Sequence, residues 1–414
     1  MIEVVDTATR GLRPVRREAL EVASFVRRLD WVLLGAAAAL VGYGLWAIAG
    51  ITRHDIPGDS SYYVVRQGVY AAAGSLGLLA LVFVDPDHYR RHKRLIYGGT
   101  VSVMLLVLLG GTVSRHSKRW LDLGFFRFQP SEFGKLLFVL ALAGFLADRA
   151  RRLGDARTVI EAVALAAGPI SLVFVQPDVG TAMVYAVALA AVLFVAAMVY
   201  AVALAAVLFV AGTRWTQLAA LGVGVVVLAL AVLWLLPSAG IHVLKPYQEQ
   251  RLTHFTHPDA DPAGATYNVR QSINAVGAGQ CCGRGLAGAT QTNLNFLPEH
   301  ATDFAFASLA EQRGFIGVSM LLLLYLLVVW RGLKIVAVAR DAFSAIAAGG
   351  IVVAFLFQIF VNVGMAIGIA PVTGIPLPFV SVGGSAMIAN LLAIGVLEAI
   401  HVRGSGRQRR RLAS

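Results

Sequence analysis

One polar stretch, residues 257–313, of an otherwise apolar chain contains several carboxylates that could accept a proton. Asp261 precedes Pro262, which disfavours helical backbone at Asp261 and keeps that residue extended. A carboxylate held in such a loop can act as a general base, a role that contributes about 10²–10⁴-fold to a rate. The same stretch also contains Asp259, Glu299, His300, Asp303 and Glu311. Ordinary solvated loop side chains are the alternative, and we favour that interpretation for Asp259 and His300.

Three cationic residues, Arg66, Arg119 and Lys135, are expected on the same side of a membrane as this polar stretch. Ionisable residues at membrane depth are costly, so each one marks a candidate site. Guanidinium and ammonium groups suit phosphate or pyrophosphate, and a lipid with a pyrophosphate headgroup would place its head there and its tail in the bilayer. The plainer alternative for Lys135 is a side chain that snorkels to the interface.

Further polar residues lie at the ends of apolar runs on that side. Gln129, Ser131 and Glu132 surround the start of the fourth run, and Asp178 lies between the fifth and sixth runs. We expect Glu132 and Asp178 to orient a substrate or the cationic groups. Helix capping is the alternative for Ser131 and Asp178, because both residue types are common N-caps.

Long apolar helices must position these residues. The chain has 414 residues, of which 58% are hydrophobic and 14% charged, more apolar surface than a water-soluble protein could bury. A helix needs about 20 apolar residues to cross a bilayer. The sequence therefore predicts an all-α polytopic membrane protein with ten transmembrane helices and a large extracytoplasmic loop, residues 237–313, between helices 7 and 8. The predicted spans are 31–51, 66–84, 95–113, 131–147, 158–176, 181–211, 215–236, 314–330, 343–363 and 381–400.

The positive charges predict the orientation. Most of the 35 Lys and Arg residues fall in a basic N-terminal tail (1–29), a basic C-terminal tail (403–414) and every second connector of the membrane domain (30–402). By the positive-inside rule, both termini are cytoplasmic and the polar stretch is outside. Anionic lipid headgroups account for the net charge of +12, and no nucleic-acid-binding module is present.

Three other stretches are unusual. Residues 182–196 recur identically at 197–211, so the sixth span is over-long, and its surplus is expected to project into the cytoplasm. Residues 368–385 are apolar but interrupted by prolines, which predicts a re-entrant or interfacial segment, tolerated where it lines a cavity. Cys281 and Cys282 are adjacent and match no metal-binding spacing, so they are either two free thiols or a vicinal disulfide.

The motifs together resemble the SEDS family (shape, elongation, division, sporulation), the RodA/FtsW/SpoVE group of bacterial cell-wall polymerases, and most of all RodA. The resemblance covers nearly the whole chain in family order. Its motifs are Arg66-Gln67, Arg119-Trp120, Phe128-Gln-Pro-Ser-Glu132 with Lys135, Gln176-Pro-Asp-Val-Gly-Thr181, Asp261-Pro262, Tyr267-Asn268, Gln271-Ser272, Leu297-Pro-Glu299, Thr302-Asp-Phe304, Pro371-Val-Thr-Gly-Ile-Pro-Leu-Pro-Phe379 and Gly383-Gly-Ser385.

The resemblance implies a peptidoglycan glycosyltransferase that polymerises lipid II into β-1,4-linked glycan strands for cell elongation. It would act at the outer face of the bacterial cytoplasmic membrane, with inversion at the anomeric carbon and Asp261 as general base. Arg66, Arg119 and Lys135 would neutralise the departing pyrophosphate, and Thr302 would join the substrate-binding residues. A class B penicillin-binding protein is the implied partner, within an elongation or division complex. No cofactor is certain, although a divalent cation (Mg²⁺ or Mn²⁺) could assist the base.

Some positions depart from the family pattern. Val382 replaces a usual Tyr, Ala301 replaces a usual His, and a frequent Glu-Glu pair reads Glu311-Gln312. These departures keep open a catalytically inactive scaffold of the cell-wall machinery. A lipid II flippase is a further alternative, but it should expose charged groups on both sides of the membrane, whereas the unusual polar groups here are predicted on one side.

Overall fold

The computed structural model describes residues 25–114, 117–122, 124, 126–149, 156–176, 180–189, 192–193 and 265–412. Within them, seven helices are long and apolar enough to span a membrane, which confirms the predicted all-α polytopic class. They are α1 (Trp31–Ile51), α2 (Tyr62–Phe83), α4 (Lys93–Gly110), α5 (Pro130–Asp148), α11 (Ala305–Val338), α12 (Ala342–Ala366) and α13 (Gly384–Leu412).

The remaining elements connect or extend these helices. They are α3 (Pro86–Arg91), β1 (Thr112–Ser114), β2 (Ser117–Asp122), β3 (Arg127–Phe128), α6 (Ala156–Val175), α7 (Gly180–Leu189), α8 (Ala265–Gly279), α9 (Gly285–Gly288) and α10 (Thr290–Asn293). The polar stretch after residue 265 is therefore folded, in the form of three helices that precede α11. The three strands form one antiparallel sheet in the order β1-β2-β3.

Capping side chains fix where several helices begin. Asp30 accepts a hydrogen bond from the Leu33 amide at the start of α1, and Asp341 accepts one from the Ser344 amide at the start of α12. An aspartate at this position pairs with an amide that the helix itself leaves without an acceptor. Pro130 occupies the first turn of α5, where its missing N–H removes no helical hydrogen bond.

The interior lies between α5, α12 and α13, most of whose residues are buried. α13 also packs closely against α2, because glycines face the contact. A Cβ on Gly74 would lie 2.7 Å from Leu391 Cδ1, and a Cβ on Gly395 would lie 2.8 Å from the Leu78 carbonyl oxygen. Small residues allow this approach of two helix backbones, as is usual for helices packed within membranes.

One end of the molecule, here called the basic face, carries most of the described ion pairs. Arg90 Nε lies 2.8 Å from Asp148 Oδ1, and Arg340 binds Asp87 at 2.5 Å. Near the same end, Arg331 Nε lies 2.8 Å from Asp30 Oδ2, and the Asp30 amide donates to the buried Glu398 carboxylate. The connectors that were predicted to be cytoplasmic therefore meet at one end.

The opposite end, here called the cap face, gathers the connectors that were predicted to be extracytoplasmic. His300 Nε2 lies 2.9 Å from Asp55 Oδ1, which joins the α1–α2 connector to the segment before α11. A Cβ on Gly180 would lie 2.4 Å from the Thr373 carbonyl oxygen, so the start of α7 packs against the proline-rich segment. The sorting of loops onto two faces follows the prediction.

Some predicted boundaries are wrong. The eighth span does not begin at 314, because the helix starts at Ala305 and Gly314 interrupts it with φ 65° and ψ −164°. The third helix ends at Gly110 instead of residue 113, because Thr112 and Val113 pair with β2. The tenth helix begins at Gly384, since residues 381–383 belong to the proline-rich segment.

Other predictions fall outside the described residues. Of the sixth span, the structure describes residues 181–189 and 192–193, and it describes none of the seventh. The second copy of the repeat, Asp178 and Asp261 also lie outside the described residues. The ten-helix count, the surplus of the sixth span and the contacts of these two aspartates stay predictions.

Candidate active site at the cap face

The segment 381–385, just before and at the start of α13, joins three distant parts of the chain at the cap face. Ser381 Oγ donates a 2.5 Å hydrogen bond to the Thr302 carbonyl oxygen. Gln67 Nε2 donates to the Ser381 carbonyl oxygen at 3.2 Å, and Gln67 Oε1 accepts from the Gly383 amide at 3.2 Å. This double contact fixes the beginning of α2, which carries the predicted Arg66, against the beginning of α13.

Ser385 connects the same segment to the start of α5. Its Oγ accepts from the Gln129 amide at 2.9 Å and donates to the Arg127 carbonyl oxygen at 2.9 Å. Gln129 Nε2 in turn donates to Ser131 Oγ at 3.2 Å, and Tyr185 donates to the Ser131 carbonyl oxygen at 3.2 Å. The structure thus brings the predicted Gln129 and Ser131 together and attaches both to α13.

Glu132 and Lys135 form a buried ion pair one turn into α5. Lys135 Nζ lies 2.8 Å from Glu132 Oε2 and donates to Gln358 Oε1 of α12 at 3.0 Å. Their side chains are 8% and 2% exposed for Lys135 and Glu132, respectively. The pair borders a cavity of about 30 Å³, which is room for about two water molecules. Within the part of the chain that the structure describes, Glu132 Oε1 has no hydrogen-bond partner, so it can accept a hydrogen bond from water or a ligand.

Arg66 lies at the beginning of α2, beside two tyrosines. Its guanidinium donates to the Tyr62 hydroxyl and, at 3.3 Å, to the Tyr70 hydroxyl, and it lies 5.2 Å from the centre of the Tyr62 ring. The Tyr70 ring lies 5.6 Å from Phe126, which continues an aromatic row towards α5. Arg119 belongs to β2, and its side chain lies outside the described residues.

The predicted residues before α11 form a tight turn. Glu299 adopts φ 57°, which is uncommon for a residue with a side chain, and its carbonyl oxygen accepts from the Thr302 and Phe304 amides at 3.1 Å. Thr302 Oγ1 donates to Glu299 Oε2 at 2.8 Å. The Asp303 carbonyl oxygen accepts from Asn362 Nδ2 at 3.0 Å, which connects the turn to α12.

The proline-rich segment packs inside the protein, and its re-entrant or interfacial position in the membrane stays a prediction. Residues 371–377 are irregular, yet Ile375 and Leu377 are buried. Protein groups satisfy its backbone: Asn362 Nδ2 donates to the Ile375 carbonyl oxygen at 2.8 Å, and Tyr325 donates to the Pro378 carbonyl oxygen. Irregular backbone at membrane depth requires such partners, because lipid supplies none.

Two polar residues of the cap have structural roles. The fully buried Glu311 carboxylate accepts from the Gln291 amide at 2.8 Å, the Thr292 amide at 2.9 Å and Thr292 Oγ1 at 2.7 Å. It therefore caps α10. His300 is paired with Asp55, so the His300 side chain is not freely solvated as we had expected.

The two single-residue departures from the family pattern contact each other. The Val382 amide donates to the Ala301 carbonyl oxygen at 2.9 Å, so positions 301 and 382 are neighbours in space although far apart in sequence. The His and Tyr side chains that the family usually carries at positions 301 and 382 would therefore lie close together at segment 381–385.

Sequence reasoning missed several residues that hold the site together, namely Tyr185, Gln358, Asn362 and Ser381, and it named Ser385 only as part of a family motif. For the two amides a signal existed, because Gln358 and Asn362 are uncharged polar residues inside an apolar span and polar residues there are often functional. Among the described residues, no group of three or more His, Cys, Asp or Glu side chains is arranged to hold a metal ion.

Comparison with known proteins places this site in a family context. A profile of the family described as "Cell cycle protein" (FtsW, RodA, SpoVE) matches residues 27–405. The peptidoglycan glycosyltransferase MrdB of Escherichia coli K12 is 36% identical over 375 residues, which cover 90% of this chain and 93% of MrdB. The stage V sporulation protein E of Bacillus subtilis is 33% identical over 82% of this chain and 87% of its own length.

Solved structures agree. A chain from a structure titled as the coordination of polymerization and crosslinking by a peptidoglycan synthase complex gives a TM-score of 0.73 at 28% identity, over 91% of this chain and 98% of that one. The rod shape determining protein RodA of Thermus thermophilus gives 0.62 at 27% identity, over 90% and 96%. The family predicted from the motifs is confirmed: the chain belongs to the FtsW/RodA/SpoVE family of integral membrane proteins and is an enzyme of the peptidoglycan glycosyltransferase class.

Proposed function

We propose that this protein polymerises lipid II into β-1,4-linked glycan strands, with Asp261 as the general base. One observation carries the proposal: polar side-chain and main-chain groups from distant parts of the chain meet at segment 381–385 on the cap face. Gln67, Gln129 and the Thr302 carbonyl all bond to this segment. A site at the mouth of a helical membrane domain suits a substrate with a polar head and a lipid tail.

The cationic residues at this face would bind the donor. Arg66 and Arg119, with Lys135 held by Glu132, would neutralise the pyrophosphate that leaves with the lipid carrier. Glu132 orients Lys135, and its Oε1, which has no hydrogen-bond partner among the described residues, offers an acceptor for a water or substrate hydroxyl. Asp178 lies between Gln176 and Gly180, and both of these flanking residues are anchored at this end of the molecule.

Asp261 would activate the acceptor sugar. It would take the proton of the 4-hydroxyl while the hydroxyl oxygen bonds to the anomeric carbon of the donor and the bond to pyrophosphate breaks. One displacement inverts that carbon, so an α-linked donor yields a β-linkage. An unperturbed aspartate is a weak base at neutral pH, so burial must strengthen it as a base, or a divalent cation would have to assist the transfer in another way, such as by stabilising the departing pyrophosphate. The helix α8, which follows Asp261 in the sequence, is anchored at the cap face, where Ser272 Oγ donates to the Ala366 carbonyl oxygen at 2.8 Å.

The charge distribution supports an orientation with the cap face outside. The basic connectors meet at the other end, so both termini would be cytoplasmic in a bacterial cytoplasmic membrane. The similarity to a chain of a peptidoglycan synthase complex supports a class B penicillin-binding protein as partner, and the similarity to MrdB and RodA supports a role in elongation.

A flippase is the second candidate, because a charged cluster also lies near the basic face. Asp30, Arg331 and Glu398 are partly or wholly buried there. Asp30 bonds to both Arg331 and Glu398, so these groups are held by one another, although Glu398 Oε2 has no hydrogen-bond partner among the described residues.

Proteoliposomes with fluorescent lipid II in the accessible leaflet separate the two functions. We expect glycan strands to accumulate when the protein and its penicillin-binding partner are both present. Transfer of lipid II between leaflets without any strands would overturn the polymerase and support the flippase. A scaffold would give neither product.

A further inference from the structure

The turn that follows α8 presents two neighbouring thiols to solvent. Cys281 and Cys282 are both free and exposed, and they lie at the cap face, outside the membrane-spanning segments. Adjacency in the chain keeps the two thiols close, and a side-chain hydrogen bond with Cys282 raises the pKa of the Cys281 thiol, which lowers its thiolate fraction. An exposed pair of this kind can exchange with a disulfide in solution.

The same turn completes the interrupted helix α11. Gly314 leaves helical geometry, so the next amides do not bond to the carbonyls four residues earlier. The Phe315 amide donates to the Gln280 carbonyl oxygen at 2.8 Å, and the Ile316 amide donates to the Cys281 carbonyl oxygen at 3.1 Å. The displaced Glu311 carbonyl oxygen accepts instead from the Arg284 amide at 2.8 Å.

The contact between the turn and the kink is tight. A Cβ on Gly314 would lie 2.3 Å from the Gly283 nitrogen and 2.6 Å from the Cys281 carbonyl carbon. Gly283 has φ 80° and Gln280 has φ 46°, so the turn already uses uncommon backbone conformations. Its backbone therefore cannot change shape without displacing Gly314, which it contacts. A change in the Cys281–Cys282 peptide must therefore reach the start of the second half of α11.

We propose that Cys281 and Cys282 form a reversible redox site, which closes to a vicinal disulfide by exchange with a disulfide oxidant and loosens the turn that caps the α11 kink. One thiolate attacks a sulfur of the oxidant R–S–S–R, forms a mixed disulfide and expels RS⁻. The second thiolate attacks the cysteine sulfur of that mixed disulfide and expels the other RS⁻. The two thiol protons end on the two leaving thiolates, so two electrons pass to the oxidant.

Geometry favours a labile bond over a permanent staple. Adjacent Cα atoms lie about 3.8 Å apart across a trans peptide, below the span of about 4.4–6.8 Å that a relaxed disulfide bridges. Strained or exposed disulfides are reduced easily and serve as labile or regulatory bonds. The inference is independent of Asp261 and of the sugar chemistry.

The first test treats purified full-length protein in detergent with 4,4'-dithiodipyridine and measures its intact mass. We expect wild type to lose two hydrogens without retaining the pyridyl group, and dithiothreitol to reverse the change. Cys281→Ser and Cys282→Ser should each keep one pyridylthio adduct, because the second attack is impossible. Wild type with two stable adducts, or with cysteine-linked dimers only, would overturn the redox site.

The second test measures hydrogen exchange of the peptide that contains Phe315 and Ile316. Loss of the hydrogen bond from the Ile316 amide to the Cys281 carbonyl oxygen should speed exchange of that amide about fivefold in the oxidised protein, as expected for the loss of one hydrogen bond. The Cys281→Ser/Cys282→Ser double variant, treated identically, should not change. Equal exchange in oxidised and reduced wild type would refute the coupling to the kink.

Discussion

The buried ion pair of α5 makes a quantitative prediction about Lys135→Met. The substitution removes Lys135 Nζ, the only described partner of the Glu132 carboxylate. The Glu132 side chain is 2% exposed, and its other oxygen, Oε1, has no hydrogen-bond partner among the described residues. Leaving one half of a buried ion pair uncompensated costs about 3–5 kcal/mol. The double variant Glu132→Gln/Lys135→Met removes both charges, and replacement of a whole buried pair is often close to neutral. We therefore expect the double variant to be more stable than Lys135→Met alone.

The free energy of unfolding can be measured by titrating sodium dodecyl sulfate into mixed micelles and following tryptophan fluorescence. Arg157→Met is the matched control, because Arg157 Nε lies 3.1 Å from Glu161 Oε1 but its side chain is 89% exposed. Such an exposed pair contributes about 0.3–0.5 kcal/mol. If Lys135→Met costs no more than Arg157→Met, or if the double variant is as unstable as the single one, the reasoning is refuted.

Two further stability predictions use the same unfolding assay. Gly395→Ala should destabilise the protein by about 1–3 kcal/mol, because its Cβ would lie 2.8 Å from the Leu78 carbonyl oxygen, whereas Gly42→Ala, with open space around it, should be neutral or slightly stabilising. Equal effects of the two changes would contradict the close packing of α2 and α13. Glu311→Gln should cost about 1–3 kcal/mol, because both carboxylate oxygens of Glu311 accept hydrogen bonds from backbone N–H groups. The NH₂ group of a glutamine would replace one of these acceptors with a donor and leave that N–H without a partner. An unchanged unfolding curve would mean that Glu311 does not cap α10.

Much of the helical framework was predictable from hydropathy alone. A bilayer accepts few solutions other than helices, so long apolar runs such as 31–51 and 343–363 had to form them. The predicted bounds of α1 agree with the structure, and those of α12 differ by at most three residues. The basic connectors also lie at one end, as predicted. That prediction needed only the positions of Lys and Arg along the sequence and no information on how the helices pack.

The contacts between these helices were not predictable in the same way. Hydropathy tells which residues lie in lipid but not which helices are neighbours, so the pairing of Gln129 with Ser385 could not be derived. The kink at Gly314 was also missed, because its cause is the turn at 280–283 rather than any residue nearby in the sequence. The short strands after α4 depend on pairing across a loop that the span-counting argument ignores.

The candidate site shows the same division. Polar residues at helix mouths identified Gln129, Ser131, Glu132 and Lys135, and the structure brings these four together. The two amides of α12 that hold Lys135 and the proline-rich segment were overlooked, because their neighbours are apolar and the helix looked like an ordinary span. Asp261 and Asp178 rest on the family resemblance, so their roles require experiment.

The central claim is that Asp261 is the base for lipid II polymerisation. The most direct measurement is the initial rate of glycan-strand formation by the purified protein with its penicillin-binding partner, for wild type, Asp261→Asn and the neighbouring control Asp259→Asn. We predict that Asp259→Asn polymerises like wild type, while Asp261→Asn loses at least about 100-fold in rate at an unchanged unfolding free energy. A fully active Asp261→Asn would contradict the account and transfer the role of base to Glu299 or Asp303.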